Sequence, residues 1–78
     1  MKLRLLTRAE CGLCAEAEQA LRELGVAFDT LDVDADTDLA QRYGDFIPVV
    51  LNGDLEIARA PLTSDSLRKA LQRANLLA

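Results

Sequence analysis

Cys11-Gly12-Leu13-Cys14-Ala15-Glu16-Ala17-Glu18-Gln19-Ala20-Leu21-Arg22-Glu23-Leu24-Gly25 is the stretch whose reading decides the fold. Its apolar positions Leu13, Ala17, Ala20, Leu21 and Leu24 fall on one face at helical spacing, with Glu16, Glu18, Gln19, Arg22 and Glu23 elsewhere. Gly25 fits the left-handed residue that ends many helices. Upstream, Leu3 to Thr7 is short, mostly apolar and bounded by charge, which predicts a first strand. Downstream, Val26 to Val33 has the β-branched and aromatic content of a second strand. A strand, a helix and a strand within about thirty residues make a right-handed βαβ unit with parallel strands.

Beyond this unit, Asp36 to Tyr43 reads as a short helix. Asp36 or Thr37 caps it, acids occupy its first turn, and Gly44 closes it. Ile47-Pro48-Val49-Val50-Leu51 predicts a third strand. Asn52-Gly53 is a hairpin turn signal, so Leu55 to Ala58 becomes a fourth strand antiparallel to the third. Thr63-Ser64-Asp65 offers caps for a last helix with a face of Leu67, Ala70, Leu71 and Ala74. The resulting order, β-α-β-α-β-β-α, is an α/β arrangement: a four-stranded mixed sheet flanked by helices. Leu76 and Leu77 read either as packed under the sheet or as an exposed tail.

The 78 residues suffice for one small domain spanning 1–78. Half of them are hydrophobic, enough for a single thin core. The net charge is −4 and no Lys/Arg cluster tracks along a face, which argues against nucleic acid as a partner. No apolar stretch approaches membrane-spanning length, so no membrane partner is expected. The start, Met1-Lys2-Leu3-Arg4-Leu5-Leu6, is too short and too charged for a signal peptide. Two cysteines at C-x-x-C spacing in such a chain point to the cytosol, where a disulfide is usually transient.

Cys11 and Cys14 are the only cysteines, and they sit where the first strand gives way to the first helix. Thiols three residues apart at a helix start can close a reversible disulfide. The helix end also favours the thiolate of the first. Arg8 would add to this, Glu10 would oppose it, and with no histidine there is no imidazole to serve as base. Moderate activation of Cys11 is the expectation. Two plainer readings compete. Cysteines on helices are often small buried hydrophobes. A zinc site would need two more ligands from outside this chain. Asp32, Asp34, Asp36 and Asp38 have the alternation of a calcium loop, but Thr37 and Tyr43 stand where it needs glycine and a bidentate glutamate. Those acids read instead as a strand exit and helix caps.

In this element order, with C-x-x-C at the first strand–helix junction and Ile47-Pro48 about 34 residues after Cys14, the chain resembles the glutaredoxins and minimal thioredoxin-fold proteins. It is most similar to small bacterial glutaredoxin-like proteins that share Arg42-Tyr43-Gly44 before the proline strand. The resemblance covers nearly the whole chain and implies a thioredoxin-like fold. It also implies a cis Pro48 lying against the disulfide, with the backbone of Ile47 pairing with the thiol partner like an added strand.

The chain departs from the family in three places. Gly12-Leu13 replaces the usual Pro-Tyr. Leu62, Thr63, Ser64, Asp65 and Ser66 align with a Gly-Gly-x-Asp-Asp stretch that holds the glutamyl end of glutathione, and only Asp65 matches. Glu10 stands where thioredoxins carry Trp. Thr63 retains a hydroxyl for a carboxylate. Arg42 could reach a second one, but reads foremost as an exposed helix charge.

The sequence therefore points to a thiol–disulfide oxidoreductase with Cys11 and Cys14 as catalytic residues and Ile47, Pro48 and Asp65 as substrate contacts. No cofactor is expected to be bound. Protein or low-molecular-weight disulfides are the expected partners, with glutathione or a thioredoxin reductase as reductant. The alternative is a non-catalytic redox sensor or binding module on the same fold.

Overall fold

A computed structural model describes residues 3–77; Met1, Lys2 and Ala78, and with them part of the charged N-terminal start, lie outside the described residues. The elements are β1 (Leu3–Thr7), α1 (Gly12–Glu23), β2 (Phe28–Asp32), a 3₁₀ turn (Val33–Ala35), α2 (Thr37–Tyr43), β3 (Val49–Asn52), β4 (Leu55–Arg59) and α3 (Ser64–Arg73). They form one four-stranded sheet in the order β2-β1-β3-β4. β1 runs parallel to β2 and antiparallel to β3, and β3 runs antiparallel to β4. The element order along the chain, the parallel β1–β2 pair and the antiparallel β3–β4 pair match the sequence reading.

Period-two alternation in the two central strands builds a core on each side of the sheet. Leu3 and Leu5 of β1 and Val50 of β3 pack with Ala17, Ala20 and Leu21 of α1 and with Leu62, Leu67 and Leu71. Leu6, Val49 and Leu51 point the other way and pack with Val33 and Tyr43. α1 and α3 therefore cover one face and α2 the other.

Helix ends explain several boundaries. After α1, Gly25 takes φ +73° and donates to the Arg22 carbonyl at 3.0 Å, while Val26 donates to the Leu21 carbonyl at 3.4 Å. This is the paired C-terminal closure in which a left-handed residue satisfies the last carbonyls. Asn75 does the same for α3 at φ +60°, and Leu76 donates to the Leu71 carbonyl at 2.8 Å. That closure folds Leu76 and Leu77 onto the core, which decides between the two readings left open for them. Thr63 caps α3: its hydroxyl accepts from Ser66 N–H at 3.1 Å, and its own N–H donates to the Ser66 hydroxyl at 2.9 Å.

Some boundaries differ from the expected ones. β2 is shorter than Val26–Val33, because the Asp32 carboxylate accepts from Asp34 N–H at 2.9 Å and turns the chain. Val33 is then buried from a 3₁₀ turn instead of a strand. The two-residue hairpin loop is Gly53-Asp54, since Asn52 pairs with Leu55. Gly53, at φ +62°, supplies the left-handed first position. β3 begins at Val49, after Pro48, whose nitrogen has no proton to donate to a ladder.

Gly44 ends α2 for a packing reason. Its φ is −53°, so conformational freedom is not required. A Cβ there would drive into the Ala40 carbonyl and approach an Arg8 guanidinium nitrogen at 3.3 Å. Gly44→Ala is expected to cost about 1–3 kcal/mol by overpacking, measurable as a lower denaturant midpoint at unchanged slope.

Candidate active site

Cys11 lies at the C-terminal end of the sheet's two parallel strands, where βαβ units present their loops. β1 ends at Thr7 and the chain turns through Glu10, which adopts φ +59°. Cys11 itself is extended, at φ −102° and ψ +106°, and occupies the N-cap of α1. Its carbonyl accepts from Ala15 N–H at 3.2 Å and its sulfur accepts from Cys14 N–H at 3.1 Å. The nucleophile candidate thus takes the place usually held by a capping hydroxyl. The first turn of α1 carries no acid, so the positive end of the helix faces the sulfur without a counter-charge on the helix itself.

Cys11 and Cys14 are joined by a disulfide, with their Cα atoms 5.2 Å apart. The two sulfurs have unequal access. Cys11 is half-buried, whereas Cys14 is 3% exposed and belongs to the buried face of α1. Leu13 was expected on that face; it is instead 57% exposed. The buried stripe starts one residue later because Cys14, Ala17 and Leu21 sit at i, i+3 and i+7.

Arg8 does not serve the thiol in the expected way. Its guanidinium holds Asp34 through two bonds at 2.9 and 3.0 Å and reaches the Gly44 carbonyl at 3.4 Å. The hydrogen bond and charge of Asp34 raise the Arg8 pKa further above its ordinary value. Arg8 thereby ties the end of β1 to the 3₁₀ turn and the end of α2. The groups that face the Cys11 sulfur are then the helix end and the Cys14 amide.

The remaining candidates divide among the segment before β3, the first turn of α3 and the end of α2. In the β1–β3 register Leu6 faces Val49, so its continuation sets Pro48 beside Thr7 and Ile47 beside Arg8, at the same end of the sheet as Cys11. The Ile47–Pro48 peptide is cis, Pro48 is fully buried, and Ile47 is half-buried against the Val33–Tyr43 cluster. Asp65 lies in the first turn of α3 and pairs with Arg68 and with Lys69, the latter at 3.1 Å. The hydrogen bond and charge of Lys69 hold its carboxyl below the usual range, with a smaller contribution from Arg68. Arg42 is exposed and pairs with Asp38 at 3.4 Å.

The comparison with known families comes down on one side: the model of the glutaredoxin-like domain (DUF836) matches residues 2–72. The chain belongs to the glutaredoxin-like family. Two solved structures share 30% of their residues with this glutaredoxin-like protein. A structural-genomics target protein from X. campestris has a TM-score of 0.82 over 91% of this chain and 96% of its own. A protein from Nitrosomonas europaea has a TM-score of 0.73 over 87% of each chain. The solution structure of glutaredoxin from Brucella melitensis is 23% identical over 99% of this chain and 88% of its own, with a TM-score of 0.71, and shows the shared fold. No curated protein matches.

One feature beside the Cys11–Cys14 turn escaped the sequence reading. A groove of about 360 Å³ starts at Leu13 and runs between α1 and the loop before α3, lined by Leu13, Glu16, Gln19, Glu23, Pro61 and Leu62. The signal in the sequence was the stripe Leu13, Glu16, Ala20 and Glu23, which shares one side of a helix. Its other wall was not legible. The cis Ala60–Pro61 peptide, whose proline lines it, has no local marker. Among the described residues no helix is long and apolar enough to cross a membrane.

Proposed function

We propose that this chain is a dithiol oxidoreductase in which Cys11 attacks and Cys14 resolves. The observation that carries the reading is the pairing of a half-exposed, amide-stabilised Cys11 sulfur with a buried Cys14 sulfur in one disulfide at a helix start. In the reduced protein the Cys11 thiolate attacks one sulfur of a substrate disulfide and expels the other as a thiolate. The Cys14 thiolate then attacks Cys11 in the mixed disulfide, releases the second substrate thiol, and closes the Cys11–Cys14 bond. Two electrons pass to the substrate, and the protons lost by Cys11 and Cys14 are balanced by those taken up by the two product thiols. An external thiol reductant returns the protein to its starting state.

Ile47 and Pro48 support this assignment by position, since both stand at the end of the sheet that carries Cys11. Glutathione is one reductant class in view: a buckwheat glutaredoxin solved as a glutathione complex has the same fold, at 23% identity and a TM-score of 0.61. A second reading, a redox-sensing binding module, draws on α3. The Thr63 and Ser66 amides that could meet a glutathione carboxylate are occupied by each other's side chains.

The test is turnover of a small disulfide with glutathione plus its reductase, and separately with thioredoxin reductase. Reduction with either system supports the enzyme. No turnover with both, together with partner affinity that differs between oxidised and reduced protein, would move the assignment to the sensor.

A further inference from the structure

The groove beside the disulfide is chemically one-sided. Its floor is apolar, formed by Leu13, Ala20, Pro61 and Leu62, and its charged groups are Glu16 and Glu23. Glu16 forms no hydrogen bond or ion pair among the described residues. Glu23 accepts only neutral partners: Gln19 Nε2 at 3.4 Å and the Ser64 hydroxyl at 3.3 Å. The cations nearest in sequence are committed elsewhere, Arg22 to Glu18 at 3.0 Å and Arg8 to Asp34 at 2.9 Å. The groove therefore presents two uncompensated carboxylates over an apolar base. An aliphatic stem with a cationic head matches that surface, since the stem covers apolar atoms while the head stays at the wet rim.

We propose that this groove is a specificity site for protein disulfides flanked by lysine or arginine. The inference rests on the redox reading and names the substrate class for it. Spacing along α1 sets the register. At about 1.5 Å of rise per residue, Glu16 lies about 7.5 Å along the axis from Cys11 and Glu23 about 18 Å. An extended substrate advances about 3.3 Å per residue, so a basic residue about two positions from the exchanging cysteine meets Glu16. One about five positions away meets Glu23. The same carboxylates repel glutathione, a net anion with two carboxylates. Charge complementarity here raises encounter rate and discrimination more than affinity, and salt weakens it.

The experiment uses pre-reduced full-length protein, so no electron donor is involved. Single-turnover exchange is measured with short disulfide-linked peptides bearing Lys, Ala or Glu two residues from the cysteine. In parallel, cysteine-free peptides with Ser in its place are titrated into the oxidised protein while the Gln19 and Ala20 amides are followed by NMR.

The Lys peptide should exchange about threefold faster than Ala at low salt, the scale of an exposed ion pair, and Glu slower than Ala. Glu16→Lys should reverse that order, and Glu16→Gln should flatten it. Equal rates for all three peptides would overturn the groove assignment and leave the oxidoreductase intact. Absent exchange with retained shifts from the Lys peptide would overturn the chemistry and keep the groove. Absence of both would overturn both.

Discussion

Cys11→Ser is expected to bring disulfide exchange down to the rate of the assay without protein, while Cys14→Ser retains the first attack and accumulates a mixed disulfide. A free thiol near pKa 8.5 is only about 3% thiolate at neutral pH, and lowering it to about 7 makes roughly half of it reactive. That change needs about 2 kcal/mol of anion stabilisation. The N-cap position and the Cys14 amide, 3.1 Å from the Cys11 sulfur, supply part of it. The Arg8 charge is held by Asp34, so the expected activation is moderate. The asymmetry between the two variants follows from access. The outer sulfur can meet a substrate; the inner one, 3% exposed, meets only a sulfur already delivered to Cys11. Mass spectrometry of Cys14→Ser after exposure to a small disulfide reads the trapped adduct directly. Equal activity in both variants would break the assignment of roles.

Leu67→Ala is expected to carry a large cost in stability. Leu67 is fully buried in α3 and packs with Leu5, Leu21 and Leu71 in the core beneath α1 and α3. Removing such a side chain costs about 2–5 kcal/mol, transfer and cavity together. A chain of 78 residues has roughly 4–12 kcal/mol in all. A loss near the middle, about 3 kcal/mol, lowers Tm by about 12–24 °C in a protein of this size. Leu13→Ala is the contrast. With Leu13 57% exposed, its truncation should shift stability by no more than about 0.5 kcal/mol. Thermal unfolding of the two variants side by side separates a core position from one that only looks apolar in sequence.

That contrast also shows where the sequence stops being legible. Local signals carried far: the short apolar run from Leu3 to Thr7 bounded by charge, the helical spacing after Cys14, Gly25 and Thr63 as punctuation. These report the preferences of neighbouring residues, and the structure follows them. Leu13 misled because apolar character was weighed without the pull of Cys14 toward the core. The Arg8–Asp34 pair joins residues 26 positions apart, which no local pattern reports. The Pro61 wall of the groove depends on how the loop before α3 meets α1, again a contact between distant segments. Residues whose role depends on their own neighbours were readable, and those whose role depends on a distant partner were not.

The Gly53-Asp54 loop has a practical consequence. Leu3 faces Asn52 while Leu6 faces Val49, so the loop caps the end of the sheet opposite the sulfur pair. Arg4 steadies it by donating to the Gly53 carbonyl at 3.0 Å. A fluorophore, an affinity handle or a surface tether grafted at Asp54 would stand a full strand length from the chemistry. Immobilised in that orientation, every molecule would present its reactive edge to the solution.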